Sequence, residues 1–278
     1  MPRPWTYLLP LLGFLGACAH AHGNRQVVSP KKGYTVTRNL IYTPAEWPEK
    51  IPADLYRPAT PKPAPAVLLI HGGGWTGEDG RWQMDSIAAQ LAKRGYVVLN
   101  VTYRLAPKYR YPAALEDVRE GVKWLRLHAA ENGIDPTRIA TFGYSAGGYL
   151  AALAAYTGGS DIQAVVSGGA PSDLTFYRGG YLVPQFLGGT QQQVPERFRQ
   201  ASPVHFISKR SPPTFVYHAA NDTLVPPEHA WAAIQALEKH GVPHEVYWIK
   251  ARNHIPAFLL PASAINRAID FLDRYLEP

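Results

Sequence analysis

Gly143-Tyr144-Ser145-Ala146-Gly147-Gly148 decides how this chain is read. The apolar run 138–144 has the composition of a strand and 146–156 that of a helix, so Ser145 falls on the turn between them. A G-x-S-x-G turn needs glycine on both flanks because it is strained and brings backbones close together, which raises the serine hydroxyl above the sheet edge. That is the geometry of a nucleophile elbow.

A serine hydroxyl is a poor nucleophile at neutral pH, so it needs a base, a group that orients the base, and donors for the oxyanion formed on attack. In an elbow of this kind the partners follow in the order Ser, Asp or Glu, His. Asp222 lies just beyond the strand-like run 214–219, at the sheet end where Ser145 emerges. Asp173, after the preceding strand, is the rival acid and otherwise a cap for the turn that follows; Asp222 is preferred because the His must then come from the next strand's loop. Asp161 precedes its strand and falls on the wrong edge. His254 follows the strand 244–249 by a short loop that returns it to the Ser145 edge. Of the other histidines, His20 and His22 sit in the N-terminal stretch, His128 and His240 in or at the end of helices, and His244 at the opposite edge. His71 and His218 each end an apolar strand and are expected to hold loops in place. His71-Gly72-Gly73-Gly74-Trp75 follows the first buried strand. Its three glycines let backbone N–H groups approach a ligand, and no Lys-Ser or Lys-Thr follows to make it a phosphate loop. The N–H groups of Gly73, Gly74 and Ala146 are the expected oxyanion donors.

Working outward, apolar runs at 66–70, 96–101, 138–144, 164–167, 214–219 and 244–249 alternate with helical patterns at 85–94, 112–132, 146–156, 227–240 and 262–275. Two alternating segments, 33–42 and 51–56, read as an antiparallel pair ahead of them. The alternation predicts an α/β fold, a mainly parallel eight-stranded sheet with helices on both faces, over residues 33–278. Residues 171–213 break the rhythm and are expected to form a small cap over the strand ends. Trp75, Tyr144, Phe176, Tyr177, Tyr181 and Phe186 either line an aromatic pocket beneath it or fill the core.

The chain has 278 residues, 46% hydrophobic and 18% charged, enough for one large domain. Its net charge of +7 is scattered, with no run of five or more basic residues, so no nucleic-acid partner is expected. No metal-ligand spacing and no G-x-G-x-x-G follows a strand, so no cofactor is expected. Residues 1–17 read as a secretory signal, with Arg3 ahead of an apolar stretch too short to span a bilayer. Leu15-Gly16-Ala17-Cys18 is similar to a bacterial lipobox, which implies a lipid on Cys18, export across the inner membrane and anchoring in the envelope; the other reading is an ordinary signal peptide with an incidental Cys18 and a periplasmic protein. Residues 18–32 then form a tether. As the only cysteine, Cys18 leaves no internal disulfide to form.

HGGGW, the segment Tyr103-Arg104-Leu105-Ala106-Pro107 continuing to Tyr111-Pro112-Ala113-Ala114-Leu115-Glu116-Asp117, and GYSAGG together resemble the α/β-hydrolase superfamily. Within it they look like the hormone-sensitive-lipase-type and feruloyl- and acetyl-esterase-type carboxylesterases. The resemblance implies a cofactor-free Ser145–His254–Asp222 triad acting on esters. Lys108 stands where the lipase-type members carry Glu, and residues 33–65 do not resemble their helical cap. The resemblance therefore leans towards the small-capped feruloyl and acetyl esterases, with short-chain or aryl esters as substrates, including acetylated or feruloylated carbohydrate. Two other readings use the same residues: amide hydrolysis, which the same triad can perform, and a binding module on a hydrolase fold that has lost catalysis.

Overall fold

Val67 and Leu69 join one hydrophobic cluster, while Ala66, Leu68 and Ile70 join another. A strand whose successive side chains enter two cores must be covered on both faces, which is why its sequence is continuously apolar rather than alternating. The computed structural model describes residues 25–29, 33–60, 63–250, 252–259 and 262–278. The signal, Cys18 and most of the tether lie outside them.

The strands are β1 (Arg25–Ser29), β2 (Tyr34–Ile41), β3 (Pro52–Pro58), β4 (Ala64–Ile70), β5 (Val97–Val101), β6 (Ile134–Tyr144), β7 (Ala164–Gly168), β8 (Thr214–Ala219) and β9 (His244–Ile249). They form one sheet in the order β1-β2-β3-β5-β4-β6-β7-β8-β9, antiparallel through β3–β5 and parallel from β5 to β9. The eight expected strands are β2 to β9. The ninth, β1, falls in the stretch read as an unpatterned tether, and it pairs with β2 from Arg25 opposite Arg38 to Ser29 opposite Tyr34. An open sheet edge offers unpaired backbone groups, which five residues without strong patterning suffice to occupy.

The helices are α1 (Asp85–Arg94), α2 (Ala113–Leu127), α3 (Ala129–Asn132), α4 (Ala146–Thr157), α5 (Leu182–Leu187), α6 (Pro195–Gln200), α7 (Glu228–Lys239), α8 (His254–Leu259) and α9 (Ala262–Leu276). α2 and α4 cover one face of the sheet, and α1 and α9 the other. The single helix expected over 112–132 breaks at His128, whose ring stacks on Trp124 and bonds its carbonyl. α4 is apolar all round, and its residues 146–155 are all buried, as a helix wedged between sheet, cap and α2 requires.

Residues 169–213 lie between β7 and β8 and carry α5, α6 and two 3-10 turns. Their Phe186, Leu187 and Phe198 are buried in the same core as α4, and the Tyr149 hydroxyl donates to the Ala201 carbonyl at 2.6 Å. Here the segment read as a cap is pinned by packing. Its exposed runs are 176–181, where Tyr177 alone is half-buried, and most of 190–200.

The motif Tyr103–Asp117 does structural work. The Arg104 guanidinium and backbone N–H both bond the buried Asp117 carboxylate, which also accepts from Trp47 Nε1 at 2.7 Å. Lys108 pairs with Glu49 on the surface.

Candidate active site

The strand order reverses across β4, with β5 on one side and β6 on the other. In an open parallel sheet the connecting chains part at such a point and leave a crevice at the carboxyl ends of the strands. β4 ends at Ile70, just before His71 and its glycine loop, and β6 ends at Tyr144, just before Ser145.

Ser145 has φ 55° and ψ −123°, a strained conformation held by its N–H bonding the Gly168 carbonyl at 2.7 Å. The flanking glycines are required by close approach. A Cβ on Gly143 would lie 2.2 Å from the Gly147 carbonyl carbon, and one on Gly147 would lie 2.1 Å from the Ile70 carbonyl oxygen. The turn is thus wedged against β4, which fixes Ser145 relative to the glycine loop.

Ser145 Oγ lies 2.9 Å from His254 Nε2, and His254 Nδ1 lies 2.6 Å from Asp222 Oδ2. A carboxylate only accepts, so Nδ1 carries the proton and Nε2 presents its lone pair to the serine hydroxyl. Asp222 is held from its other oxygen by the backbone N–H groups of Leu224 and Val225, at 3.0 and 2.8 Å. His254 opens α8 instead of sitting in a loop. Its carbonyl accepts from the Tyr144 hydroxyl at 2.7 Å, and its N–H donates to Asn253 Oδ1. Asn253 also takes the Thr223 N–H, so one side chain joins the two loops that carry the acid and the base.

Asp173 takes the capping role: its carboxylate accepts from the Thr175 N–H at 2.9 Å and from the Thr175 hydroxyl. His71 and His218 hold loops. The Thr102 hydroxyl and the Gly80 N–H both lie at His71 Nε2, and the His71 ring stacks on Tyr103. His218 Nε2 donates to the Val225 carbonyl at 2.8 Å, bracing the Asp222 loop. Burial lowers the pKa of both rings, which keeps them neutral.

The glycine loop passes beside the serine, since a Cβ on Gly72 would meet the Ser145 Cβ at 3.3 Å. Gly73 and Gly74 have φ of 112° and 62°, in the left-handed region that glycine tolerates. The N–H groups of Gly73, Gly74 and Ala146 donate to no described residue. Such donors beside a serine suit a developing oxyanion.

The cleft above Ser145 has a volume of about 550 Å3, with an apolar wall built by Leu182, Val183, Leu224, Ile255 and Phe258. Trp75, Tyr144, Tyr177 and Tyr181 line it as expected. Phe186 does not, because it stacks on Trp75 at 4.5 Å inside the core. Phe176 faces a neighbouring recess. The aliphatic wall and Asn253 were not read from the sequence. Leu and Ile at a cleft look like Leu and Ile in a core until the loops are placed, though the Asn immediately before His254 carried a signal. Among the described residues no cluster of His, Cys, Asp or Glu could hold a metal ion, and no helix is long and apolar enough to cross a membrane.

Residues 53–237 match the BD-FAE family. Esterase LipC of Mycobacterium tuberculosis is 31% identical over 196 residues, 63% of this chain and 49% of LipC. The chain spans about half the length of the curated relatives it matches. A hyperthermophilic esterase from the archaeon Pyrobaculum calidifontis superimposes with a TM-score of 0.69 at 27% identity, covering 86% of this chain and 85% of that one. A truncated carbohydrate esterase from gut microbiota has the same fold, with a TM-score of 0.80 at 22% identity over 89% of this chain and 99% of that one.

Proposed function

This chain belongs to the BD-FAE family of α/β-hydrolases, and from that premise we propose that it is a serine carboxylesterase acting on short-chain or aryl esters. The observation that carries the reading is the continuous path from Asp222 Oδ2 through His254 to Ser145 Oγ, at 2.6 and 2.9 Å. On this reading Ser145 Oγ attacks the ester carbonyl while His254 Nε2 takes its proton, and Asp222 steadies the imidazolium. The carbonyl oxygen, now an anion, is met by the N–H groups of Gly73, Gly74 and Ala146. His254 then hands the proton to the departing alcohol, and water attacks the acyl-Ser145 by the same steps in reverse.

The aliphatic and aromatic wall favours acyl groups of modest size. Sugar esters are the favoured natural substrates, supported by likeness to a carbohydrate esterase and an acetyl ester-xyloside hydrolase. Export and a lipid on Cys18 complete the proposal and rest on residues 1–18 alone. The test is Ser145→Ala against 4-nitrophenyl acetate: turnover should fall on the order of 10⁶-fold, and an undiminished rate would overturn the reading.

A further inference from the structure

A second recess, of about 460 Å3, opens beside the reactive cleft and is lined by Phe176, Tyr177, Arg178, Pro226, Glu228 and His229. Tyr177 lines both spaces, and Val225 of the cleft is followed in the chain by Pro226 of the recess. The recess therefore lies on the Asp222 side of the serine. In acyl transfer the leaving alcohol takes its proton from the histidine, so it departs towards the histidine and the loop that orients it.

The chemistry of the recess is specific. Phe176 is 45% exposed, a large apolar face left open to solvent beside the site. Arg178 and Glu228 are both exposed, and neither has an ion-pair or side-chain hydrogen-bond partner among the described residues. His229 is 1% exposed and packs against the rings of Phe176 and Tyr177, at 5.2 and 5.0 Å. Its Nδ1 accepts the Asp173 N–H, so the ring proton sits on Nε2, for which no described residue is an acceptor. Burial lowers the His229 pKa to about 4, which keeps this donor neutral. One cation and one anion cancel, so the lining selects neither anionic nor cationic ligands. It offers an open aromatic face, a forked donor and a carboxylate acceptor over a neutral, buried histidine. A pyranose ring matches that set: its C–H face packs on an aromatic ring and its hydroxyls both donate and accept.

We propose that Phe176, Arg178, Glu228 and His229 form the subsite that binds the alcohol portion of the ester, so that these residues of the recess, and not the reactive cleft, set how well a sugar ester is bound. The proposal rests on the esterase reading and adds to it the residues that recognise the alcohol. Phe176 supplies the stacking face, Arg178 and Glu228 bind hydroxyls, and His229 closes the floor. Phe176, Arg178 and Glu228 do not line the reactive cleft, so a small ester does not reach them.

The experiment compares acetylated xylo-oligosaccharides with 4-nitrophenyl acetate on the wild type, Phe176→Ala, Phe176→Trp and Arg178→Ala/Glu228→Gln. With the oligosaccharide, Phe176→Ala should raise KM about threefold to tenfold, Phe176→Trp should restore it, and the double variant should raise KM about tenfold. With 4-nitrophenyl acetate, kcat/KM should stay within about twofold of wild type for all three. Oligosaccharide kinetics unchanged in Phe176→Ala and the double variant would overturn the subsite. So would equal losses on both substrates, or a wild type that cleaves the nitrophenyl ester and leaves the acetylated sugar intact. A wild type that cleaves neither overturns the esterase reading itself.

Discussion

The elbow around Ser145 and the cap stretch from Tyr177 to Tyr181 face each other across one cleft, with Phe176 just outside it, and they are built by opposite rules. At the elbow backbone meets backbone: the atoms nearest an added Cβ on Gly143 or Gly147 belong to the main chain, which has nowhere to move. In the cap stretch, Gly179 and Gly180 have nothing within 4 Å of an added Cβ, and Phe176 and Tyr181 are 45% and 68% exposed. The first region fixes where the reaction occurs. The second is open and tolerates change, as loops on a rigid scaffold do, and under the proposed function it selects what reaches the serine.

After the loss of Ser145 itself, the largest effect should come from the group that orients the base. Asp222→Asn keeps an acceptor for the Leu224 and Val225 N–H groups but turns an amide towards His254, forcing the wrong tautomer. Turnover of 4-nitrophenyl acetate should drop about 10⁴-fold with the melting temperature nearly unchanged; a loss below tenfold would mean that the acid side is not required. Next comes the backbone wedge. Gly147→Ala would set a Cβ 2.1 Å from the Ile70 oxygen and 2.5 Å from that of His71, and should destabilise the fold by about 4 kcal/mol or more in urea titrations. A folded variant with an unshifted urea midpoint would break the contrast with the cap.

His229 joins the two regions, lying on α7 under the cap rings, and gives a pH-dependent test. Its folded pKa of about 4 lies below the ordinary histidine value near 6.5 because burial disfavours the charged ring. As pH falls below about 6.5 the unfolded chain takes up the proton first, so folding stability should decline by up to about 3 kcal/mol by pH 4, and above pH 7 this group adds no slope. His71 and His218 act in the same direction. Stability against pH for His229→Gln should be shallower by about that amount, and an unchanged slope would remove His229 from the account. The smallest effect sharpens the comparison from the other side: Gly179→Ala, in open space, should change stability by no more than about 0.5 kcal/mol in the same urea titration.

Much of this molecule was legible in its sequence because the signals were local. A two-sided apolar run such as β4, the glycines of the elbow and loop, and the chain order of Ser145, Asp222 and His254 each constrain a few neighbouring residues and need no knowledge of distant contacts. The readings that changed depended on partners far away in sequence. β1 exists because β2 leaves an edge open, and Phe186 is core because Trp75 reaches it. His254 heads a helix tied to Thr223 through Asn253. By itself the sequence determined the layered sheet, the turn that carries Ser145 and the order in which its partners arrive, since backbone strain and periodicity are written residue by residue. Only the tertiary structure decided which apolar and aromatic side chains line the cleft and which fill the core, and that a second recess adjoins it. A side chain's exposure is a property of whatever packs against it, and that is set by the whole chain at once.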